Sequence, residues 1–251
     1  MSTMIGAGTY IRASEELPPM TLQVVLRGRD GVVIASDTCV SSRPEEMDVT
    51  DSNSKMVVKP RFVCTFAGDD CAQSIATEIT AEVGDFGFEN STTFIEKVNE
   101  SLRKYIAGPR LFRQSEYRKL LWIQILNSSE IVIWAASYCC EVNGPVFNLI
   151  APQIQNTIFA GNEGNPARYF VEHYYKKNSM KTVSGLTKMA AHVILTGHIF
   201  NSAGVNGLEM VVGNSNGFVP VPLEEIQDLA KLSRAIHEGN DSHFTDYNSL
   251  P

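Results

Sequence analysis

The chain has little of what marks a nucleic-acid-binding or membrane protein. Of its 251 residues, 21 are Lys or Arg against 28 Asp or Glu, giving a formal net charge of −7. No Lys/Arg run exceeds two residues. Nucleic-acid surfaces need concentrated positive charge, so no nucleic-acid partner is expected. Apolar runs such as residues 131–136 fall far short of the roughly 20 residues that span a bilayer, so no membrane partner is expected either. Residues 1–20 lack the basic start and apolar centre of a secretory signal. Cysteine is sparse: Cys39, Cys64, Cys71, Cys139 and Cys140 are five, an odd number, with no CxxC pair. Neither a disulfide framework nor a zinc site fits that pattern. Reduced thiols in a cytosolic, or also nuclear, protein are the simple expectation. His192 and His198 lie six apart, not at the i, i+4 spacing that puts two ligands on one helix face. No metal and no cofactor are expected.

What is present is a 43% hydrophobic, 20% charged composition, that of a globular protein able to bury a full core. Two β-rich runs, 22–26 and 32–36, flank Arg29-Asp30-Gly31, a turn in which glycine can take a positive φ. A polar stretch, 41–54, reads as a loop. Strands are expected at 55–58 and 62–66, separated by Lys59-Pro60-Arg61. The apolar period then lengthens to that of a helix over 69–83, with Ala72, Ile75, Ala76, Ile79 and Val83 on one stripe. A second helix starts at Ser91-Thr92 and stops at Gly108-Pro109.

The second half repeats the alternation. Strands at 120–126 and 131–137 flank Asn127-Ser128-Ser129, a hairpin signature, and weaker strands lie at 146–150 and 157–160. Helical patterns cover 165–177 and 182–200, a strand pair covers 208–212 and 218–221, and a last helix covers 223–237. No linker-like segment divides the halves. The expectation is one domain over 21–238, with a leader at 1–20 and a mobile tail at 239–251. Strands and helix pairs in this order pack most naturally as an α+β four-layer αββα sandwich, two stacked antiparallel sheets with helices outside.

Several short motifs carry a resemblance. Thr21, then Asp30-Gly31-Val32-Val33 and Ala35-Ser36-Asp37, resembles the start of a mature proteasome β-type subunit, an N-terminal nucleophile (Ntn) hydrolase. Lys55, Phe66-Ala67-Gly68, the "FAGNEGN" segment and the "LEMVV" strand continue the likeness over most of 21–221. The resemblance implies a threonine-type endopeptidase acting on unfolded or tagged polypeptides, with other proteasome-like subunits as ring partners. A threonine hydroxyl needs a base, and a free α-amine at Thr21, with a pKa of about 7.7–8.0, would serve. Lys55 would supply positive charge, Asp37 would hold that lysine, and Gly68 would offer a backbone N–H to an oxyanion. Val40, Phe66 and Asp70 match the family's first substrate pocket. Asn162 stands in Gly161-Asn162-Glu163-Gly164, where the family has a Gly-Ser-Gly-Ser element. Ser202 stands where the family has an aspartate; both residues could support the amine.

Each residue also has an ordinary reading. Thr21 fits as a strand residue, Asp37 as a turn acid, Lys55 as a strand-edge lysine, and Gly68 as the approach to a helix N-cap. The family carries glycine before its threonine, whereas Met20 stands here. Initiation at Met20, or proteolysis of the leader, would free the Thr21 amine. A non-catalytic ring subunit and a stand-alone amidase or transpeptidase on the same fold remain the alternatives.

Overall fold

A computed structural model describes residues 21–38, 54–68, 70–106, 118–126, 130–141, 144–150, 157–161, 181–200 and 205–237, with Tyr169, Val171, His173 and Tyr175 between them. The expected leader and tail lie outside these residues. Among the described residues, ten strands form two sheets. The first joins β1 (Leu22–Arg27), β2 (Val32–Ser36), β8 (Thr157–Gly161), β9 (Glu209–Asn214) and β10 (Gly217–Pro220) in the order β10-β9-β2-β1-β8. The second joins β3 (Met56–Val58), β4 (Phe62–Ala67), β5 (Arg118–Leu126), β6 (Glu130–Glu141) and β7 (Gly144–Ile150) in chain order. All pairings are antiparallel.

Period-two alternation assigns each strand's two faces to two different layers. In β1, Leu22, Val24 and Leu26 pack beneath α3 (Val183–Phe200) and α4 (Leu223–His237), whereas Val25 faces the second sheet. In β4, Val63 and Ala67 face the first sheet, and Phe62, Cys64 and Phe66 pack beneath α1 (Asp70–Val83) and α2 (Ser91–Ile106). The same division runs through β2, β5 and β6. The result is three apolar layers, helix to sheet, sheet to sheet and sheet to helix, and it is the expected αββα sandwich.

Local chemistry fixes the joints. The β1–β2 turn brings Gly31 so close to the Gly213 carbonyl and Val183 Cγ2 that a Cβ there would collide with both. Asp30 Oδ1, in the same turn, accepts the backbone N–H of Val183 at 2.8 Å and so caps α3. Asn90 Oδ1 does likewise for α2 through the Thr93 N–H at 3.1 Å. Under α1 and α2, Phe62 stacks on Trp122 with ring centroids 4.1 Å apart. The buried Trp122 indole donates to Gln124 Oε1 at 2.7 Å.

Element bounds differ modestly from the sequence reading. Lys55 stands just before β3 rather than opening it, β5 begins at Arg118, and β6 runs from Glu130 to Glu141. Long strands that pair on both sides extend past the residues whose apolar alternation announces them, because ladder hydrogen bonds are indifferent to side chain. Of the helical pattern at 165–177, the described residues Tyr169, Val171, His173 and Tyr175 are helical.

Candidate active site

Strand parity places Thr21 on the same face as Gln23 and Val25, turned toward the second sheet. It stands at the open end of β1, where β2 also ends. Asp37 follows β2 directly and returns to β1 in a reciprocal arrangement: its N–H donates to the Leu22 carbonyl at 3.1 Å. Its Oδ1 accepts the Leu22 N–H at 2.8 Å. That clamp pins the carboxylate against the residue next to Thr21.

Lys55 reaches the same point from the other sheet. Its Nζ donates to Asp37 Oδ2 at 2.7 Å and lies 3.2 Å from Thr21 Oγ1. Thr21, Asp37 and Lys55 are 8%, 0% and 4% exposed. An ion pair this deep is not an economical source of stability, because desolvating both charges offsets most of their attraction. It does fix a cation within hydrogen-bonding distance of a hydroxyl oxygen. Such a cation stabilises the oxygen's anionic form and lowers the free energy of proton loss.

The lysine backbone is held as well as its head. The Lys55 carbonyl accepts the Phe66 N–H at 3.2 Å, tying it to β4. The Lys55 N–H donates to Glu209 Oε1 at 2.5 Å, tying it to β9 of the opposite sheet. Ser54 Oγ lies 2.6 Å from Glu209 Oε2. Glu209 is partly buried, and its pKa is raised, chiefly by burial. The Asp37 carboxylate adds to the rise, while hydrogen bonds from Ser54 and Lys55 and the Lys55 charge oppose it. Gln23, fully buried, bridges the sheets beside them: its Nε2 donates to the Phe66 carbonyl at 2.7 Å and its Oε1 accepts from Thr65 Oγ1 at 2.9 Å.

Gly68 follows β4 two residues beyond Phe66, exposed, with φ +123, a conformation natural to glycine. The Gln23 bridge therefore ties the strand that carries Thr21 to the strand end that leads into Gly68. Phe66 itself is buried in the layer under α1 and α2, and Asp70 is the first residue of α1. Val40, Asn162 and Ser202 lie outside the described residues. Asn206, on the approach to β9, gives its carbonyl to the Thr38 N–H at 2.8 Å. Gly207 next to it has φ +70, and a Cβ there would collide with Thr38 Oγ1.

Cys64 is not a rival nucleophile. Complete burial pushes its thiol up to about 12, so it stays protonated near neutral pH. No group of His, Cys, Asp and Glu able to hold a metal occurs among the described residues. No helix among them is long and apolar enough to cross a membrane.

The sequence reading missed Glu209, Gln23 and Ser54. A signal for two of them was there. Glu209 opens the otherwise apolar "EMVV" run at the parity of inward-facing Val211, and Gln23 interrupts "LQVVL" at the parity of Val25. A polar side chain on the face of a strand that meets another sheet must find a partner there.

Two stacked antiparallel sheets between helix pairs, with a threonine at the open end of β1 against a lysine and an aspartate, define an Ntn-hydrolase-type fold. Among solved structures the chain is similar to Anbu (ancestral beta-subunit) from Yersinia bercovieri, with a TM-score of 0.63, 14% identity, and coverage of 92% of this chain and 98% of that one. It is also similar to the Anbu (Gly-1) mutant from Hyphomicrobium sp. strain MC1, with a TM-score of 0.59, 12% identity and the same coverages of 92% and 98%. No protein-family model and no curated protein matches the chain. At these identities the likeness is one of fold.

The comparisons correct the family drawn from the motifs. The neighbours are Anbu proteins, related to proteasomes but distinct from them, rather than proteasome β-type subunits. The reason is physical. The Asp-Gly-Val-Val turn and the Thr/Asp/Lys set describe one hairpin and one buried ion pair, a small part of the chain. They do not distinguish subfamilies.

Proposed function

We propose that this protein is an N-terminal-nucleophile hydrolase with an Anbu-like fold, acting as a threonine-type peptidase through Thr21 Oγ1. One observation carries the reading: Lys55 Nζ stands 2.7 Å from Asp37 Oδ2 and 3.2 Å from Thr21 Oγ1, in a buried cluster. The cation stands within hydrogen-bonding distance of the hydroxyl oxygen whose anionic form it would stabilise.

In this reading residues 1–20 are a leader whose removal frees the Thr21 α-amine. While Met20 is attached, that nitrogen is an amide and cannot accept a proton. Once free, with an ordinary pKa of about 7.7–8.0, it takes the hydroxyl proton as Oγ1 attacks a carbonyl carbon. Lys55 stabilises the developing charge on Oγ1, and Asp37 keeps the lysine in place. The backbone N–H at Gly68 faces the oxyanion. The tetrahedral intermediate collapses by expelling the amine, which leaves with the proton held at the Thr21 nitrogen. Water then attacks the threonyl ester, giving its proton to the same nitrogen and restoring the hydroxyl. Substrates are polypeptide segments, with Val40, Phe66 and Asp70 toward the first side-chain pocket and Asn162 and Ser202 supporting the amine. The reading extends to assembly with further copies or like subunits, and to a cytoplasmic location. The name of the structural neighbours, an ancestral β-subunit, supports assembly.

The test is N-terminal sequencing of natively purified protein, joined to labelling by an electrophile selective for N-terminal threonine. The expected result is a chain beginning at Thr21, labelled at Oγ1, with Thr21→Ala unlabelled. A folded chain that begins at Thr21 and takes no label overturns the reading.

A further inference from the structure

The backbone of Lys55 is fastened to both sheets, and the fastening from the first sheet is a single side chain. Glu209 opens β9 and pairs with Ser36 across the ladder, so it shares an edge of the sheet with Asp37. From there it crosses the gap to β3, an edge strand of three residues. Its Oε1 takes the Lys55 N–H at 2.5 Å and its Oε2 meets Ser54 Oγ at 2.6 Å. No other side chain among the described residues bonds the Lys55 backbone.

The hydrogen atoms around Ser54 can be counted. Its Oγ accepts the Met56 N–H at 3.2 Å and lies 2.9 Å from the Met56 carbonyl and 2.6 Å from Glu209 Oε2. A hydroxyl has one hydrogen to donate. The β3–β4 ladder offers the Met56 carbonyl nothing: Phe66 N bonds Lys55 O and Lys59 N bonds Phe62 O, which leaves residue 56 facing outward in an antiparallel register. If Glu209 is ionised, the serine hydrogen serves only one of the Met56 carbonyl and the carboxylate, and the other must turn to water beside the exposed Ser54. If Glu209 carries a proton, every group is served. The acid O–H donates to Ser54 Oγ, the serine hydroxyl donates to Met56 O, and the Met56 N–H donates to the serine.

We propose that Glu209 is a positioning residue for Thr21, acting as a neutral carboxylic acid that locks the Lys55 backbone to the first sheet. The charged groups that face it among the described residues are Asp37, at the end of β2, and Lys55 itself. An ionised Glu209 would be a second carboxylate beside the same lysine, drawing its charge from Asp37 and Thr21. A neutral one holds the backbone and leaves the head group to them. Burial, which raises the Glu209 pKa, favours the same form.

The inference rests on the Thr21 reading only where it speaks of reactivity, and its test separates the two. Chains beginning at Thr21 are prepared with wild-type, Glu209→Gln and Glu209→Ala sequences. Hydrogen exchange of the Lys55 amide is followed by NMR, and labelling of Thr21 by the threonine-selective electrophile is timed across pH. An amide side chain, like the neutral acid, pairs a carbonyl acceptor with a donor group, an NH2 in place of the O–H. Glu209→Gln is therefore expected to keep the Lys55 amide protected and to label at least tenfold faster than Glu209→Ala, in which protection is lost. A protonated-carboxyl infrared band present in the wild type and absent from Glu209→Gln completes the expected result. Glu209→Gln behaving like Glu209→Ala in both measurements overturns the neutral-acid role, and a protected Lys55 amide in Glu209→Ala overturns the positioning role. If the wild-type chain takes no label, the Thr21 reading fails, while amide exchange and the infrared band still decide whether Glu209 holds Lys55 as a neutral acid.

Discussion

Two lysine–carboxylate arrays in this molecule have the same contact distance and opposite consequences. Lys55 meets Asp37 at 2.7 Å, and Lys104, on α2, meets Glu78, on α1, at 2.7 Å. The first pair is 6% and 0% exposed at its side chains, the second 51% and 26%. The exposed array extends through Lys97, Glu82 and Glu100, so each charge has several substitutes. Water and salt already stabilise those charges apart, so the pairing adds little. Among the described residues, Asp37 alone forms an ion pair with Lys55 Nζ. Breaking it strands a charge where water cannot follow, and that is why it can serve as a positioning device: its geometry has one low-energy form.

The sharpest way to break the comparison is Asp37→Ala, which leaves Lys55 buried without its partner. A loss of roughly 3–5 kcal/mol in urea unfolding is expected, with labelling of Thr21 abolished. A loss no greater than that of an exposed pair would place the cluster in contact with solvent. Removing both charges together separates stability from chemistry. The double variant Asp37→Leu/Lys55→Met is expected to be more stable than Asp37→Ala by at least about 2 kcal/mol, yet to remain unlabelled. A double variant that labels would show that the pair has no part in activating Thr21.

Glu209 sharpens the contrast through pH. Its folded-state pKa is raised, mainly by burial, so the folded protein holds a proton that the unfolded chain releases. That contribution to stability is full below the ordinary carboxyl pKa and is lost as pH rises through the raised value. Glutamine does not titrate. The stability of Glu209→Gln relative to wild type should therefore climb with pH across that window, measured as the difference between urea midpoints. The opposite slope would mean that the fold favours the ionised form. The smallest effect is expected at the exposed array, where Lys104→Ala should move the thermal midpoint by no more than about two degrees. Added salt should narrow even that difference.

The β1–β2 hairpin was legible because two β-rich runs and the Arg29-Asp30-Gly31 turn between them all fall within residues 22–36. The helix faces of α1 and α2 were legible for the same reason, each stripe being a local period. The partnership of Thr21, Asp37 and Lys55 could be read only through the likeness to a family, since no periodicity links positions that far apart. The same likeness named the wrong branch of the fold, because its motifs describe the site and not what surrounds it. Glu209 went unread although its polarity in "EMVV" was visible. Nothing local tells which of 250 other residues waits across the gap.

By itself, the sequence determined which positions along each strand and helix share a face, where the turns fall, and that two sheets must share one interior. Side-chain direction along a strand is set by backbone geometry, and a short window of residues contains all of it. The tertiary structure decided that an edge strand of the second sheet delivers a lysine to the open end of the first, under the hold of an aspartate from β2 and a glutamate from β9. That meeting depends on ladder register and on the packing of one sheet upon the other. Both are sums over contacts from the whole chain, and no single segment encodes them.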